Sequence, residues 1–275
     1  MSPFKASAAP TRSWEHFRFE VADGVATLTF DRPSKLNALT FEVYADLRDL
    51  LGELAALPQA RVLLITGTGR GFSSGGDVHE IIGRLLEMEP GELIEFTRMT
   101  GTVTQRMREC PLPIIAAVNG VAAGAGAVIA LAADLRLLAR SASFAFLFTK
   151  VGLSGADMGS AYLLPRLIGA GRAMELLLLG DRVDAEQAVA LGLASQVVED
   201  AALASTAKSL ARRLAEGPAL AYAATKLLVT RELDMNLAAS LELDTMTQAM
   251  LMRSRDHAEF YAAFKEGREP RWSGK

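Results

Sequence analysis

Two short segments of small residues hold most of the chemistry open to this chain: Gly71-Phe72-Ser73-Ser74-Gly75-Gly76-Asp77 and Asn119-Gly120-Val121-Ala122-Ala123-Gly124-Ala125-Gly126-Ala127. An apolar run that reads as a strand precedes each, at 62–66 and 113–118, and each segment reads as opening a helix. Small side chains at a helix start let a ligand approach the backbone and leave N–H groups free to donate. Two such ends aimed at one point would form an oxyanion hole, a fixed pair of donors for charge that develops on a carbonyl oxygen.

The rest of the chain must position those turns. Phe17-Arg18-Phe19-Glu20-Val21 and Val25-Ala26-Thr27-Leu28-Thr29-Phe30 flank Asp23-Gly24 and read as a hairpin. Thr40 caps a helix to about Leu57, with Val43, Leu47, Leu50, Leu51 and Leu54 on its apolar face. Further helices are expected from about Asp77 to Glu87 and from Glu92 to Arg108. The second glycine-rich turn leads into a helix ending near Ala133. Strands are expected around 135–139 and 144–148, then a loop over 152–159 and a helix from Ser160. Strand, turn and helix recur at irregular spacing, so the class is α/β. A loose tail is expected over 1–13, a core over 14–203 and a wholly helical region over 204–275.

Composition narrows the function. The chain has 275 residues, 50% of them hydrophobic, enough for a well-buried core. A net charge of −3 offers nothing to nucleic acid. The single Cys110 rules out an internal disulfide and fits a reducing, cytoplasmic setting. His16, His79 and His257 lie too far apart in sequence for a local metal-ligand pair, and no metal is expected. The alanine-rich run 118–133 is broken by Gly120, Gly124 and Gly126 and reads as buried strand, turn and helix rather than a membrane span.

Six motifs in order give the sequence a family likeness. They are Asp31-Arg32-Pro33-x-Lys35-Leu36-Asn37-Ala38-Leu39, Phe72-Ser73-Ser74-Gly75-Gly76-Asp77-Val78 and Pro113-Ile114-Ile115-Ala116-Ala117-Val118-Asn119-Gly120. Leu164-Pro165-Arg166-Leu167-Ile168-Gly169, Ala188-x-x-Leu191-Gly192-Leu193-Ala194 and Phe264-Lys265-Glu266-Gly267-Arg268-Glu269-Pro270 follow. Over about residues 15–273 the chain resembles the crotonase superfamily, the enoyl-CoA hydratases and isomerases. The resemblance implies an α/β spiral of ββα units with a C-terminal helical trimerisation region, assembled as a homotrimer or hexamer. It implies an acyl-CoA thioester as substrate, with no further cofactor. It places the oxyanion donors at the N–H groups of Gly76 and Ala125. Contacts to coenzyme A or the acyl group are implied for Lys35, Leu36, Ala38, Ser74, Asp77, Val78, His79, Gly124, Val128 and Phe148. Phe264 and Arg268 are implied to reach coenzyme A, from the same or a neighbouring subunit.

The sequence also departs from the hydratase pattern. The two glutamates that hydratases of this family use fall here at Val128 and Phe148, and neither residue can move a proton. Asp157, eight residues before Pro165, stands where the resemblance places the proton shuttle of double-bond isomerases. A lone carboxylate among apolar side chains suits that task, because burial raises its pKa and keeps water away. Val128, Phe148, Leu153 and Met158 are expected to supply that dry wall, and Ile81, Ile82, Leu85 and Leu86 to line the acyl pocket. The competing role for Asp157 is a helix N-cap. Asp77 is expected to cap and Asp134 to be structural. Three readings follow: an enoyl-CoA isomerase working through Asp157, a hydratase or other hydrolase or lyase of the same fold with its acids elsewhere, and a non-catalytic acyl-CoA binder.

Overall fold

The computed structural model describes residues 14–275, so the tail expected at 1–13 lies outside the described residues. The hairpin forms from β1 (Phe17–Ala22) and β2 (Val25–Phe30), paired antiparallel with Phe19 opposite Leu28. Thr40 caps α1 (Phe41–Glu53), its side chain accepting from the Val43 N–H at 3.3 Å. Next come β3 (Val62–Gly67), β4 (Gly71–Ser73), a π-helical turn (Val78–Ile82), α2 (Gly83–Leu85) and α3 (Pro90–Glu109). The same sequence of pieces repeats as β5 (Ile114–Val118), β6 (Val121–Ala123) and α4 (Ala125–Ala132). It repeats once more as β7 (Leu135–Ala139), β8 (Ser143–Ala145), α5 (Ser160–Ile168) and α6 (Ala170–Leu179).

Each turn of this coil gives one strand to each of two sheets. One sheet runs β1-β2-β3-β5-β7-β10 and the other β4-β6-β8-β9, with β9 at Val183–Asp184 and β10 at Gln196–Val198, on either side of α7 (Ala185–Leu191). From β2 onward the first sheet is parallel, with Leu64 opposite Ile115 and Ala117 opposite Leu137. Both faces of such a sheet are covered, and its strands are accordingly continuous apolar runs: every residue of β5 is buried. This is the spiral of ββα units expected from the motifs.

The chain ends in four helices, α8 (Leu203–Ala215), α9 (Ala219–Glu232), α10 (Leu237–Leu251) and α11 (Arg255–Glu266). They are not alike. Leu203, Ala207, Ala211 and Ala215 of α8 are buried in the main core, so this helix packs with the spiral although it follows the expected start of the helical region. Two local expectations change. The strand expected over 144–148 stops at Ala145, and Leu147–Val151 turn into a 3-10 helix that carries Phe148. The helix expected from Asp77 begins as a π-turn before becoming α.

Candidate active site

β4, β6 and β8 lie side by side and parallel, with Ser73 opposite Ala122 and Ala123 opposite Ala145. The chain therefore leaves all three strands at one edge of the sheet, which brings residues far apart in sequence together.

At the first of these exits most backbone donors are spent. The Ser74 N–H donates to Leu36 O at 2.9 Å, Gly75 N–H to Ser73 Oγ at 3.2 Å and Asp77 N–H to Leu39 O at 2.9 Å. The Gly76 N–H between them has no partner among the described residues. At the second exit Gly124 N–H donates to Ala145 O at 2.8 Å, and the first helical bond runs from Val128 N–H to Gly124 O. The Ala125 N–H is thus one of the orphan donors that every helix start leaves.

The two exits touch through Gly75. Its φ is +89°, and a Cβ there would lie 2.8 Å from Ala123 O and 3.2 Å from Ala125 N. Only glycine fits both the conformation and the gap. Behind them, a Cβ on Gly126 would stand 2.3 Å from Ser73 O, so the start of α4 is pressed against the end of β4. The loop before α1 clamps the arrangement: Asn37 Nδ2 donates to Thr68 O and Gly71 O, and Asn37 Oδ1 accepts from Arg32 N–H.

Asp77 caps the π-turn as expected, accepting from the N–H groups of His79 and Glu80 and from Arg32 at 2.8 Å. Burial pushes its carboxyl up, but the two N–H bonds and Arg32 outweigh that, and its pKa falls below the ordinary value. Asp134 is structural: it accepts from Ile114 N–H and pairs with Arg108 and Lys226.

Asp157 behaves otherwise. The helix it precedes, α5, is capped by Gly159 without a side-chain bond. One Asp157 carboxylate oxygen takes only the Met158 N–H at 2.8 Å, while the Asp157 N–H and C=O engage Ser160. Burial raises the pKa of this carboxyl, and the Met158 N–H opposes the rise only in part. Val128 is fully buried, and Phe148 and Met158 nearly so, but Leu153 is exposed and forms no wall. Its backbone is held instead by an N–H bond to Phe148 O. Of the expected pocket liners Ile81 is buried, Ile82 and Leu85 are half-buried and Leu86 faces solvent.

Lys35 is exposed, Leu36 and Ser74 are half-buried and Ala38 is buried, with Ser74 Oγ donating to Lys35 O. Val78 and His79 follow on the surface. No contact among the described residues draws Phe264 and Arg268 to these positions. Phe264 is exposed beside Phe260, and the Arg268 guanidinium is already paired with Glu259 and Glu266. A cavity of about 550 Å³, bordered by Arg108, Asp134, Arg136, Tyr162 and Lys226, shares none of the turn residues.

Sequence reasoning missed Tyr44. It sits in α1 with its ring 5.8 Å from Phe96, edge to face, and its hydroxyl 3.7 Å from where a Cβ on Gly76 would be. Burial drives its pKa far above the ordinary phenol range, and the charge of Asp157 adds to the rise. A tyrosine on the apolar face of a helix reads as packing, and the sign that it does more is a hydroxyl needing a partner.

The comparisons agree with this architecture. Residues 20–275 match the family described as Enoyl-CoA hydratase/isomerase. A relative from Escherichia coli named 1,2-epoxyphenylacetyl-CoA isomerase is 40% identical over 93% of this chain and 97% of its own length. One from Rhodobacter capsulatus, named "Probable enoyl-CoA hydratase", is 38% identical over 96% and 100%. A solved structure from Streptomyces coelicolor A3(2) that also bears an enoyl-CoA hydratase name is 61% identical, covers 100% of both chains and superposes with a TM-score of 0.95. Fold, motifs and relatives converge: the chain belongs to the enoyl-CoA hydratase/isomerase family, within the crotonase superfamily.

Proposed function

We propose that this enzyme shifts a double bond in an enoyl-CoA thioester, with Asp157 as its one proton carrier. The observation that carries the reading is the state of Asp157: a half-buried carboxylate with a raised pKa, unspent on the helix it precedes. Val128 and Phe148, apolar and buried, leave the pair of acids needed to activate water without a place. The Escherichia coli relative is named an isomerase of a different CoA thioester, a reaction that likewise consumes no water.

In this reading the thioester oxygen sits between the N–H groups of Gly76 and Ala125. Asp157 takes a proton from C2 of a 3-enoyl thioester, the two donors hold the resulting dienolate, and the proton returns at C4. Atoms balance with no water consumed. The thioester and the two donors supply the electronics, so the reaction calls for no metal or redox cofactor. Lys35, Leu36, Ala38, Ser74, Asp77, Val78, His79 and Gly124 form the coenzyme A side of the mouth. Exposed apolar residues on the last helices, Leu237, Leu241, Met246 and Met250 among them, fit burial between subunits of a trimer or hexamer.

The test is a paired assay with 3-enoyl-CoA and 2-enoyl-CoA in deuterated water. Conversion of the first, with deuterium entering the chain and loss of roughly 10²–10⁴-fold in rate in Asp157→Asn, is the expected result. The Rhodobacter capsulatus relative's name favours a second reading, hydration. Addition of water to the 2-enoyl thioester, unaffected by Asp157→Asn, would replace the first reading with the second. Acyl-CoA binding with no C2 exchange would mark a binder.

A further inference from the structure

The cavity of about 550 Å³ lies apart from the glycine-rich turns, bordered by α5, α9 and the start of β7. Its volume falls within the range that small-molecule sites occupy. Much of its wall is apolar, with Leu131, Leu163 and Leu214 among the bordering side chains. Arg108, Arg136 and Lys226 also border it, around a single bordering carboxylate, Asp134. Asp134 is already spent: it accepts from the Ile114 N–H and pairs with both Arg108 and Lys226. At the rim, Arg166 is balanced by Asp234, which also takes the Tyr162 hydroxyl. Glu232, on α9, is not a bordering residue. The wall therefore carries an excess of positive charge.

Arg136 is the cation with an opening. It is 7% exposed, and its partners are carbonyls: Nε donates to Leu193 O, and Nη1 to Leu131 O and Ala133 O. Nη2 donates to no described residue. The sealed, unpaired side-chain atoms among the described residues are Arg61 Nε, Thr68 Oγ1, Thr104 Oγ1 and Glu232 Oε1. Nη2 is not one of them, so it opens on the cavity that Arg136 borders. Burial pulls the pKa of Arg136 down to about 10, with Asp134 opposing the fall and Arg108 adding to it. Burial lowers that of Lys226 as well. Buried charge in excess is costly, and an anion in the cavity would offset it, while the apolar wall favours hydrocarbon.

We propose that this cavity binds a free aliphatic carboxylic acid as its anion, the carboxylate accepting from Arg136 Nη2 and the hydrocarbon chain covering the apolar wall at Leu163 and Leu214. One open guanidinium nitrogen in a mainly hydrocarbon wall suits a single small head group on an apolar body. The site stands independently of the reaction proposed for the turns, since the cavity shares none of their residues.

The experiment measures binding. Octanoate is titrated calorimetrically into the intact protein in its native assembly, with 1-octanol as the uncharged counterpart. Octanoate is expected to bind about tenfold tighter than the alcohol, the gain from one charge-assisted hydrogen bond. Thr225 and Val229 border the cavity from exposed positions on α9. Thr225→Trp and Val229→Trp therefore fill it without touching the buried core. Each is expected to weaken octanoate binding about tenfold or more, with an unchanged circular dichroism spectrum. Saturating acetyl-CoA is expected to leave octanoate affinity unchanged. Absent octanoate binding, equal binding of the alcohol, or full affinity in both tryptophan variants would overturn the proposal. Competition by acetyl-CoA would overturn it too, by placing octanoate at the turns. If a second copy of the chain fills the cavity instead, octanoate will not bind and the tryptophan variants will sediment as smaller species.

Discussion

Helices α4 and α10 are both rich in alanine, leucine and other apolar residues, and their surroundings are opposite. All eight residues of α4 are buried. None of the fifteen in α10 is, and Leu237, Leu241, Met246 and Met250 stand more than half exposed. α4 is enclosed by the spiral and must fit it atom by atom. α10 presents apolar surface that the described residues leave exposed, a larger patch than single scattered apolar residues would make. The difference separates two regions: the spiral carries the turns of the candidate site, and the exposed last helices are where the proposed assembly would form.

The largest effect should come from the enclosed side. Gly126→Val puts side-chain atoms where Ser73 O already stands, 2.3 Å from the first added carbon. Overpacking against backbone should cost about 3 kcal/mol or more and separate the two turns. Denaturant unfolding checks this, and a variant of normal stability would mean that α4 does not bear on β4 as described.

The exposed side should answer differently. Leu241→Glu with Met246→Glu adds charge to a face with no buried residue, so the monomer should keep its circular dichroism. The change should appear in sedimentation as a smaller species. An unchanged sedimentation coefficient would place the interface elsewhere, and a lost spectrum would show that α10 is enclosed after all.

The smallest effect separates two acids on the enclosed side. Asp77 has a lowered pKa, so its stabilisation is present above the unfolded carboxylate's pKa and lost as pH falls through the folded one. Asp77→Asn should cost about 1 kcal/mol at neutral pH and flatten acid unfolding. Asp157 has a raised pKa, so its ionised form is the disfavoured one once pH passes the folded value. Asp157→Asn should therefore leave neutral-pH stability unchanged or higher. Melting curves from pH 3 to 8 decide both, and the same sign for both variants would refute the assignment.

Much of this was legible from residue order. Apolar runs of five or six residues announced β3, β5 and β7, and the capping residue of α1 and the start of α5 stand where the sequence put them. β4 and β6 were not read as strands. They are three residues long, Gly-Phe-Ser and Val-Ala-Ala, too short for an alternating pattern to show, and they exist because the neighbouring turn of the coil offers them a partner. Phe144 to Phe148 looked uniformly strand-like, but pairing with β6 ends at Ala145 and the chain then folds into the 3-10 turn. The glycine turns were legible because few residues tolerate so close an approach. Tyr44 was not, since its meaning depends on Gly76 and Asp157, which are neighbours only after folding.

The coil has a consequence in time. Gly76 leaves the first winding, Ala125 the second and Asp157 the third. The approach of the first two turns through Gly75 spans a long stretch of chain and forms late, because closing large loops is paid for before the contact rewards it. A ribosome that has released only the first two windings holds both proposed oxyanion donors and lacks the proposed proton carrier. A chain cut short there is a fragment that could hold a thioester but would lack the acid proposed to turn it over.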